Sequence, residues 1–159
     1  MKIVVMSDSH GRRGAIDEII SRTRGTAGMY IHLGDGEQEL RSVMEDNPDL
    51  DIRHVAGNCD WDSSSPRASI IKVSGVRIFA THGHWYGVSG GLERLCSNAV
   101  ENGCQIALYG HTHCRYNRIE GGIYVLNPGS CALPRDGFKP SFGTIDITSQ
   151  GIVTNITDL

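Results

Sequence analysis

The stretch KIVVMSDSHGRRGAIDEIISRTRGTAGMYIHLGD, residues 2–35, decides the fold. Lys2–Met6 is short, apolar and β-branched and stops at a polar turn, the pattern of a fully buried strand. Residues 13–23 then place Ile16, Ile19 and Ile20 on one face of a helix. Met29–Leu33 is a second buried strand. Two such strands joined by an amphipathic helix predict a parallel pair with a right-handed crossover. The unit then repeats, with a helix over Glu37–Asp46 that "NPD" ends and a third strand over Ile52–Ala56.

Beyond residue 60 the pattern changes. Ile70–Val73 and Val76–Thr81 flank Ser74-Gly75, a two-residue hairpin signal. Gly91–Asn102 is amphipathic through Leu92, Leu95, Cys96, Ala99 and Val100, and a strand follows over Gln105–Tyr109. Tyr116–Ile119 and Ile123–Leu126 read as an antiparallel pair around "EGG", and Thr144–Thr148 and Ile152–Ile156 as another around "SQG". The expected architecture is α/β, with two mixed β-sheets packed face to face and helices outside. At 159 residues, with no repeat, low-complexity tract or linker, one domain over 1–159 is expected.

Composition narrows the function classes. A hydrophobic share of 39% and a charged share of 21% are ordinary for a soluble globular protein. The net charge of −3, without a basic stripe, argues against a general nucleic-acid binder and leaves room for a nucleotide or small fragment. No apolar run approaches a membrane span, and "MKIVVMSDSHG" meets polar residues too early for a signal peptide, so a cytoplasmic location is expected. Cys59, Cys96, Cys104, Cys114 and Cys131 are odd in number and lack CxxC spacing, so they predict free thiols.

The chemistry lies where the strands stop. Asp8 and His10 follow the first strand, Asp35 the second and Asn58 the third, while His82 and His84, then His111 and His113, follow later ones. In open α/β sheets ligands bind beyond the carboxyl ends of strands, so these clusters are expected to meet. Two of the clusters are His-x-His pairs. Imidazole nitrogens, carboxylates and one amide oxygen suit borderline transition metals. Six or seven donors exceed the about four of a tetrahedral zinc, which points to two cations with Asp35 of "GDG" as the bridge. Such a positive site suits an anionic phosphate ester.

The ordered motifs "SDSHG", "HLGDG", "GNCD", "THGH", "GHTH" and "NPGS" resemble the calcineurin-like metallophosphoesterase superfamily, most of all its small microbial phosphodiesterase branch. The resemblance runs from Asp8 to Ser130 and implies a four-layer α/β/β/α sandwich. It implies Asp8, His10, Asp35 and His113 around one metal, and Asp35, Asn58, His82 and His111 around another. The metals would be Mn²⁺ or Ni²⁺, with Fe, Co or Zn as other candidates. About 3.5–4 Å apart, they would hold a bridging hydroxide that attacks phosphorus in line. The two imidazoles of "GHTH" would reach different ions because strand alternation puts them on one side. Asp35, Asn58 and His84 are the candidate catalytic residues.

Much of the superfamily carries histidine where this chain has Cys59. A thiol with a reference pKa near 8.5 is a poor substitute for an imidazolium, which predicts a bias toward esters with good leaving groups. Cys59, His84 and Ser130 are the candidate substrate contacts, with His84 open between touching phosphate and orienting a ligand. Asp8 and His10 alone would read as a helix-capping turn and a surface histidine, and Asn58 and Asp60 as an Asx-turn. Asp60 reads as a turn residue or one that supports a ligand, and His32 as packed or supporting a ligand rather than as a ligand itself. Trp61, Trp85 and Tyr86 stand between a substrate cleft and satellite core; Arg12, Arg13 and Arg135 read as solvated. Expected partners are a small phosphate ester and, from the frequency of symmetric dimers, a second copy. The competing reading is a non-catalytic scaffold of the same fold, as in the phosphoesterase-like subunit of the retromer coat. An amidohydrolase is disfavoured, because those (β/α)₈ barrels have about 250 residues and carry the His-x-His motif on an early strand, whereas the clearest one here is late.

Overall fold

A computed structural model describes all 159 residues. In chain order the elements are β1 (Lys2–Met6), α1 (Arg13–Thr23), β2 (Met29–His32), α2 (Glu37–Asp46), β3 (Ile52–His54), β4 (Ala68–Val73) and β5 (Val76–Thr81). A short 3₁₀ turn (His84–Tyr86) leads to α3 (Glu93–Glu101), and β6 (Ile106–Leu108), β7 (Arg115–Glu120), β8 (Ile123–Pro128), β9 (Ser141–Thr148) and β10 (Gly151–Asp158) complete the chain. They form two mixed five-stranded sheets, ordered β10-β9-β1-β2-β3 and β4-β5-β6-β8-β7. β1, β2 and β3 are parallel neighbours, as the β-α-β-α-β reading requires.

Strand alternation builds the layers. Along β1, Ile3 and Val5 point into the core between the sheets, where they meet Ile78, Ile106 and Leu126 of the second sheet. Val4 and Met6 point the other way, onto Ile16 and Ile19 of α1 and Leu40 of α2. On the far side, Phe79, Ala107 and Val125 turn outward onto Leu95 and Ala99 of α3. The strands β1, β2 and β6 carry apolar residues at both parities because both their faces are covered. Each fully buried Ile or Val in these layers contributes roughly 1.5–3 kcal/mol relative to exposure.

The hairpins follow their turn residues. Ser74 and Gly75 both have positive φ (48° and 79°), and so do Gly121 and Gly122 (55° and 86°), the geometry of two-residue type I′ connections. Boundaries differ where tertiary contacts decide. β6 is shorter than its apolar run, ending at Leu108, and α3 starts two residues later than the periodicity predicts. β9 starts at Ser141 rather than Thr144, because Ser141–Gly143 pair with β10 across a full eight-residue ladder. Gly143, a weak strand former, lies there against Leu126 of the facing sheet.

Candidate metal centre

Loops after β1, β2, β3, β5 and β6 come together at one end of the two sheets. Seven non-glycine residues have positive φ, and five of them are candidate ligands: Asp8 (57°), His10 (44°), Asp35 (57°), His111 (65°) and His113 (58°). Left-handed backbone is unfavourable for L-residues and persists where surrounding structure enforces it, most often at functional sites. Here the five lie in the loops beyond β1, β2 and β6.

The enforcement is loop packing on loop. A Cβ on Gly57 would overlap Asp35 Oδ1 and the Asp35 backbone nitrogen, and one on Gly110 would overlap Ser7 Oγ. The glycines of "GD" and "GN" therefore let backbones touch, and that of "GH" lets the Ser7 side chain close on its backbone. The two beside Asp35 serve the same packing: Gly34 backs onto Gly57, and Gly36 onto Ser9. The strand-alternation account of His111 and His113 is overturned. Both lie beyond β6 in left-handed turns, with Thr112 N–H donating to Gly110 O (2.7 Å).

Asp8, His10 and His113 form one donor group, Asp8, Asp35 and His82 a second that overlaps it, and His10, Asp35 and Cys59 a third, with donor atoms in each within 4.8 Å. His113 Nε2 is 3.3 Å from Asp8 Oδ1 and 3.1 Å from His10 Nε2. His82 Nε2 is 3.4 Å from Asp35 Oδ2 and 3.1 Å from Asn58 Oδ1. His10 Nε2 reaches Asp35 Oδ2 at 3.7 Å, so Asp35 faces both of the first two groups. The His111 ring stands beside the second, its centroid 5.2 Å from that of His82, and the His111 backbone N–H donates to Asp8 Oδ2.

The surroundings orient these donors. His82 Nδ1 faces the Leu33 carbonyl at 2.7 Å and His113 Nδ1 faces the Leu133 carbonyl at 2.6 Å. An Nδ1–H donated to each carbonyl leaves the Nε2 lone pairs aimed at the carboxylates, the usual arrangement of a ligating histidine. Asp60 accepts from the N–H groups of Asp35, Gly36, Glu37 and Gly57, fixing the Asp35 loop and the start of α2. Burial works against ionisation of Asp60, and those four donors outweigh it, so its carboxyl stays below the usual range.

The electrostatics are those of a cation cage. Burial opposes a charged Asp35, but His82 and the Cys59 N–H hold its carboxyl well below the ordinary value. Burial also lowers His82 and His113, but Asp35 beside the first and Asp8 beside the second reverse the balance and raise both. Asp8 Oδ1, wholly buried, has no hydrogen-bond partner. A buried anionic oxygen without a donor, facing three imidazole nitrogens, fits divalent cations of the borderline class.

The remaining candidates divide. His84 joins the cluster from the 3₁₀ turn, its ring 5.3 Å from His82 and its buried Nδ1 without a partner; burial, then His82 and His111, lower its pKa. Cys59 is exposed beside His10 and Asp35, and burial of the sulfur together with Asp35 pushes its thiol up to about 11. Ser130 is a correction. It is fully buried, donating to the Asp8 carbonyl (2.7 Å) and accepting from Ala132 and Leu133 N–H, so it braces the Asp8 loop and has no surface for substrate.

Asn127, seen from sequence only as part of a turn, spans Gly110 O, Thr112 Oγ1 and Gly129 N–H and holds the "GHTH" turn in place. Ser9 and Glu39 escaped the sequence reading. Glu39 accepts from both Ser9 Oγ and Gly11 N–H, a link that nothing short of the folded loop reveals. His32 is packed as expected: Gly34 N–H donates to its Nδ1, Ser9 Oγ lies against Nε2, and burial lowers its pKa to about 4.

The likeness to known proteins agrees with this geometry. A sequence model of the calcineurin-like phosphoesterase superfamily domain matches residues 1–150. The chain is 32% identical to Phosphodiesterase YfcE of Escherichia coli strain K12, over 92% of this chain and 88% of that protein. A predicted phosphoesterase from Streptococcus pneumoniae superposes with a TM-score of 0.87 at 31% identity, covering 99% of this chain and 88% of that one. Vacuolar protein sorting 29 of Cryptosporidium parvum shares the fold, with a TM-score of 0.75 at 15% identity over 99% of this chain and 97% of its own. No helix is long and apolar enough to cross a membrane. With two facing mixed sheets, an Asp/His cage at their ends and a match across nearly its whole length, the chain belongs to the calcineurin-like phosphoesterase superfamily.

Proposed function

We propose that the protein is a binuclear metal-dependent phosphodiesterase acting on a small phosphate ester. The observation that carries the reading is the position of Asp35 between two donor groups, 3.7 Å from His10 Nε2 and 3.4 Å from His82 Nε2. Asp8, His10, Asp35 and His113 would hold one divalent cation, and Asp35, Asn58, His82 and His111 the other. Mn²⁺ and Ni²⁺ head the candidates, followed by Fe, Co and Zn. Such cations supply positive charge that makes water nucleophilic at neutral pH and offsets charge developing on phosphoryl oxygens.

The chain's own residues then set the preference. The Leu33 and Leu133 carbonyls keep His82 and His113 in one tautomer, and the Asp60 turn keeps Asp35 in place. His84, its pKa lowered by burial and then by His82 and His111, would hydrogen-bond a phosphoryl oxygen, a role its unpartnered Nδ1 supports. Cys59, with a pKa pushed up to about 11, is an uncharged thiol at pH 7 and supplies neither a cation nor a strong acid. A monoester dianion would call on a cation there, and a poor leaving group on an acid. A diester monoanion with an acidic leaving group needs neither, which favours a phosphodiesterase.

The scaffold reading rests on the vacuolar sorting relatives and on Cys59. The gathering of Asp8, His10, Asp35, His82 and His113, with Asn58 against His82, weighs against it. The test is hydrolysis of bis-p-nitrophenyl phosphate across a panel of divalent metals, with and without chelator. Metal-dependent turnover that Asp35→Ala lowers at least about 10³-fold, the scale of a lost preorganised electrostatic contribution, is expected. No turnover with any metal would favour the scaffold.

A further inference from the structure

A cleft of about 510 Å³ opens beside the metal centre, in the usual size range of a small-molecule site. His111, whose ring lies beside His82, forms part of its wall, so the cleft borders the cage. Thr112 extends that wall, and Arg135 N–H donates to the His113 carbonyl (3.0 Å), tying the rim to the same turn. The rest of the lining is mixed, with Ser89, Cys114 and Arg115 beside apolar and aromatic side chains. Val88 and Tyr109 are buried walls, Leu92 comes from the start of α3, and Tyr116 stands on β7 with its hydroxyl donated to Glu120. The Tyr109 and Tyr116 ring centroids lie 6.3 Å apart at 54°, which gives a rigid aromatic corner. At the mouth, Arg135 is exposed and makes no ion pair, leaving a positive charge free toward an anion.

We propose that this cleft binds one organic arm of the ester, an arm ending in a planar aromatic ring, while the phosphoryl group lies at the cage. The inference rests on the phosphodiesterase reading and deepens it. Apolar walls, two tyrosine rings and an open end at His111 fit a flat ring joined to an anion. Aromatic pairs at centroid separations of about 4.5–7 Å add about 0.5–1.5 kcal/mol beyond burial, so a ring gains where a methyl group does not. The second cleft at the cage, about 440 Å³ beside Asn58 and His84, is a weaker candidate for the ring. Its tryptophans stand out in solvent, Trp61 at 85% exposure, and Arg67 already stacks 4.2 Å over Trp85. The shared chemistry of simple aryl groups and nucleobases is what the Tyr109–Tyr116 corner recognises.

The test is calorimetric binding of two poorly hydrolysed diesters, diphenyl phosphate and dimethyl phosphate, to the metal-loaded protein. The wild type should bind the diphenyl ester about five- to tenfold more tightly, the size of one aromatic contact. Ser89→Trp, at an exposed position on the lining, fills the cleft without touching the core and should bring the two within about twofold. Tyr116→Ala should do the same, and the dimethyl ester should be unaffected by either change. Adenosine 5′-(methyl phosphate) in a parallel arm distinguishes a nucleobase from a simple aryl group by which advantage Ser89→Trp removes. No preference for a ring in the wild type, or a preference that survives Ser89→Trp and Tyr116→Ala, overturns the proposal. Ring selectivity without turnover of bis-p-nitrophenyl phosphate would keep the cleft and remove the phosphodiesterase reading; turnover without ring selectivity would do the reverse.

Discussion

Cys59 tests the electrostatic account of substrate preference. Its sulfur lies beside His10 and Asp35, and its own N–H donates to Asp35 Oδ1 at 2.7 Å. With a thiol pushed up to about 11, the group stays protonated and neutral through the physiological range, a poor acid for an expelled alkoxide. Cys59→His places a group there that titrates near 6.5 and can carry both charge and proton. The expected outcome is a gain of about a hundredfold in kcat on diesters with alkyl leaving groups, the low end of general-acid contributions, and little change with nitrophenolate. Rates for a leaving-group series in both proteins check it; parallel lines of rate against leaving-group pKa would refute it.

Among the elements, the loops after β2 and β3 act as one unit. Gly57 lies so close to Asp35 that the two backbones are in contact, and Asp60 binds both loops through four N–H groups. A Cβ at Gly57 has no flexible neighbour to displace, because one atom it meets is the Asp35 backbone nitrogen. Gly57→Ala should cost about 1–3 kcal/mol of stability, as overpacking does elsewhere. Thermal unfolding of the metal-free protein reads that loss. Gly14→Ala, a helical position where nothing lies within 4 Å of the added carbon, is the control, and equal effects at the two sites would refute the packing argument.

At the scale of the whole molecule, protonation of the cage competes with metal. His82 and His113 have raised pKa values through Asp35 and Asp8, despite burial, and each must give up its proton to ligate. Metal affinity should therefore rise with pH from about 5 to 8 and level off above the folded-state values, with protons released on binding below that plateau. Isothermal titration in buffers of different ionisation enthalpy measures both, and a pH-independent affinity would refute the scheme. The sign for metal-free stability is separate. A histidine whose folded pKa is raised contributes stability below its unfolded value near 6.5 and loses it as pH rises through the folded value. His32, lowered to about 4 by burial, acts oppositely, and its contribution falls as pH drops from 6.5 toward 4.

Much of this molecule was legible in the residues themselves. The β-branched runs, the Ile16–Ile19–Ile20 face and the hairpin pairs Ser74-Gly75 and Gly121-Gly122 express local preferences that the packed layers keep. The donor types were legible too, because Asp, His and Asn at strand ends name their chemistry wherever the chain puts them. Left to tertiary structure were the left-handed turns at Asp8, His10, Asp35, His111 and His113, the carbonyls that orient His82 and His113, and the burial of Ser130. The physical reason is that a backbone carbonyl carries no residue identity and that these turns exist only because distant loops press on one another. The amino-acid sequence thus determined which atoms can bind a cation and at which strand ends they lie. Contacts between loops up to about a hundred residues apart, such as His111 N–H on Asp8, decided where those atoms point.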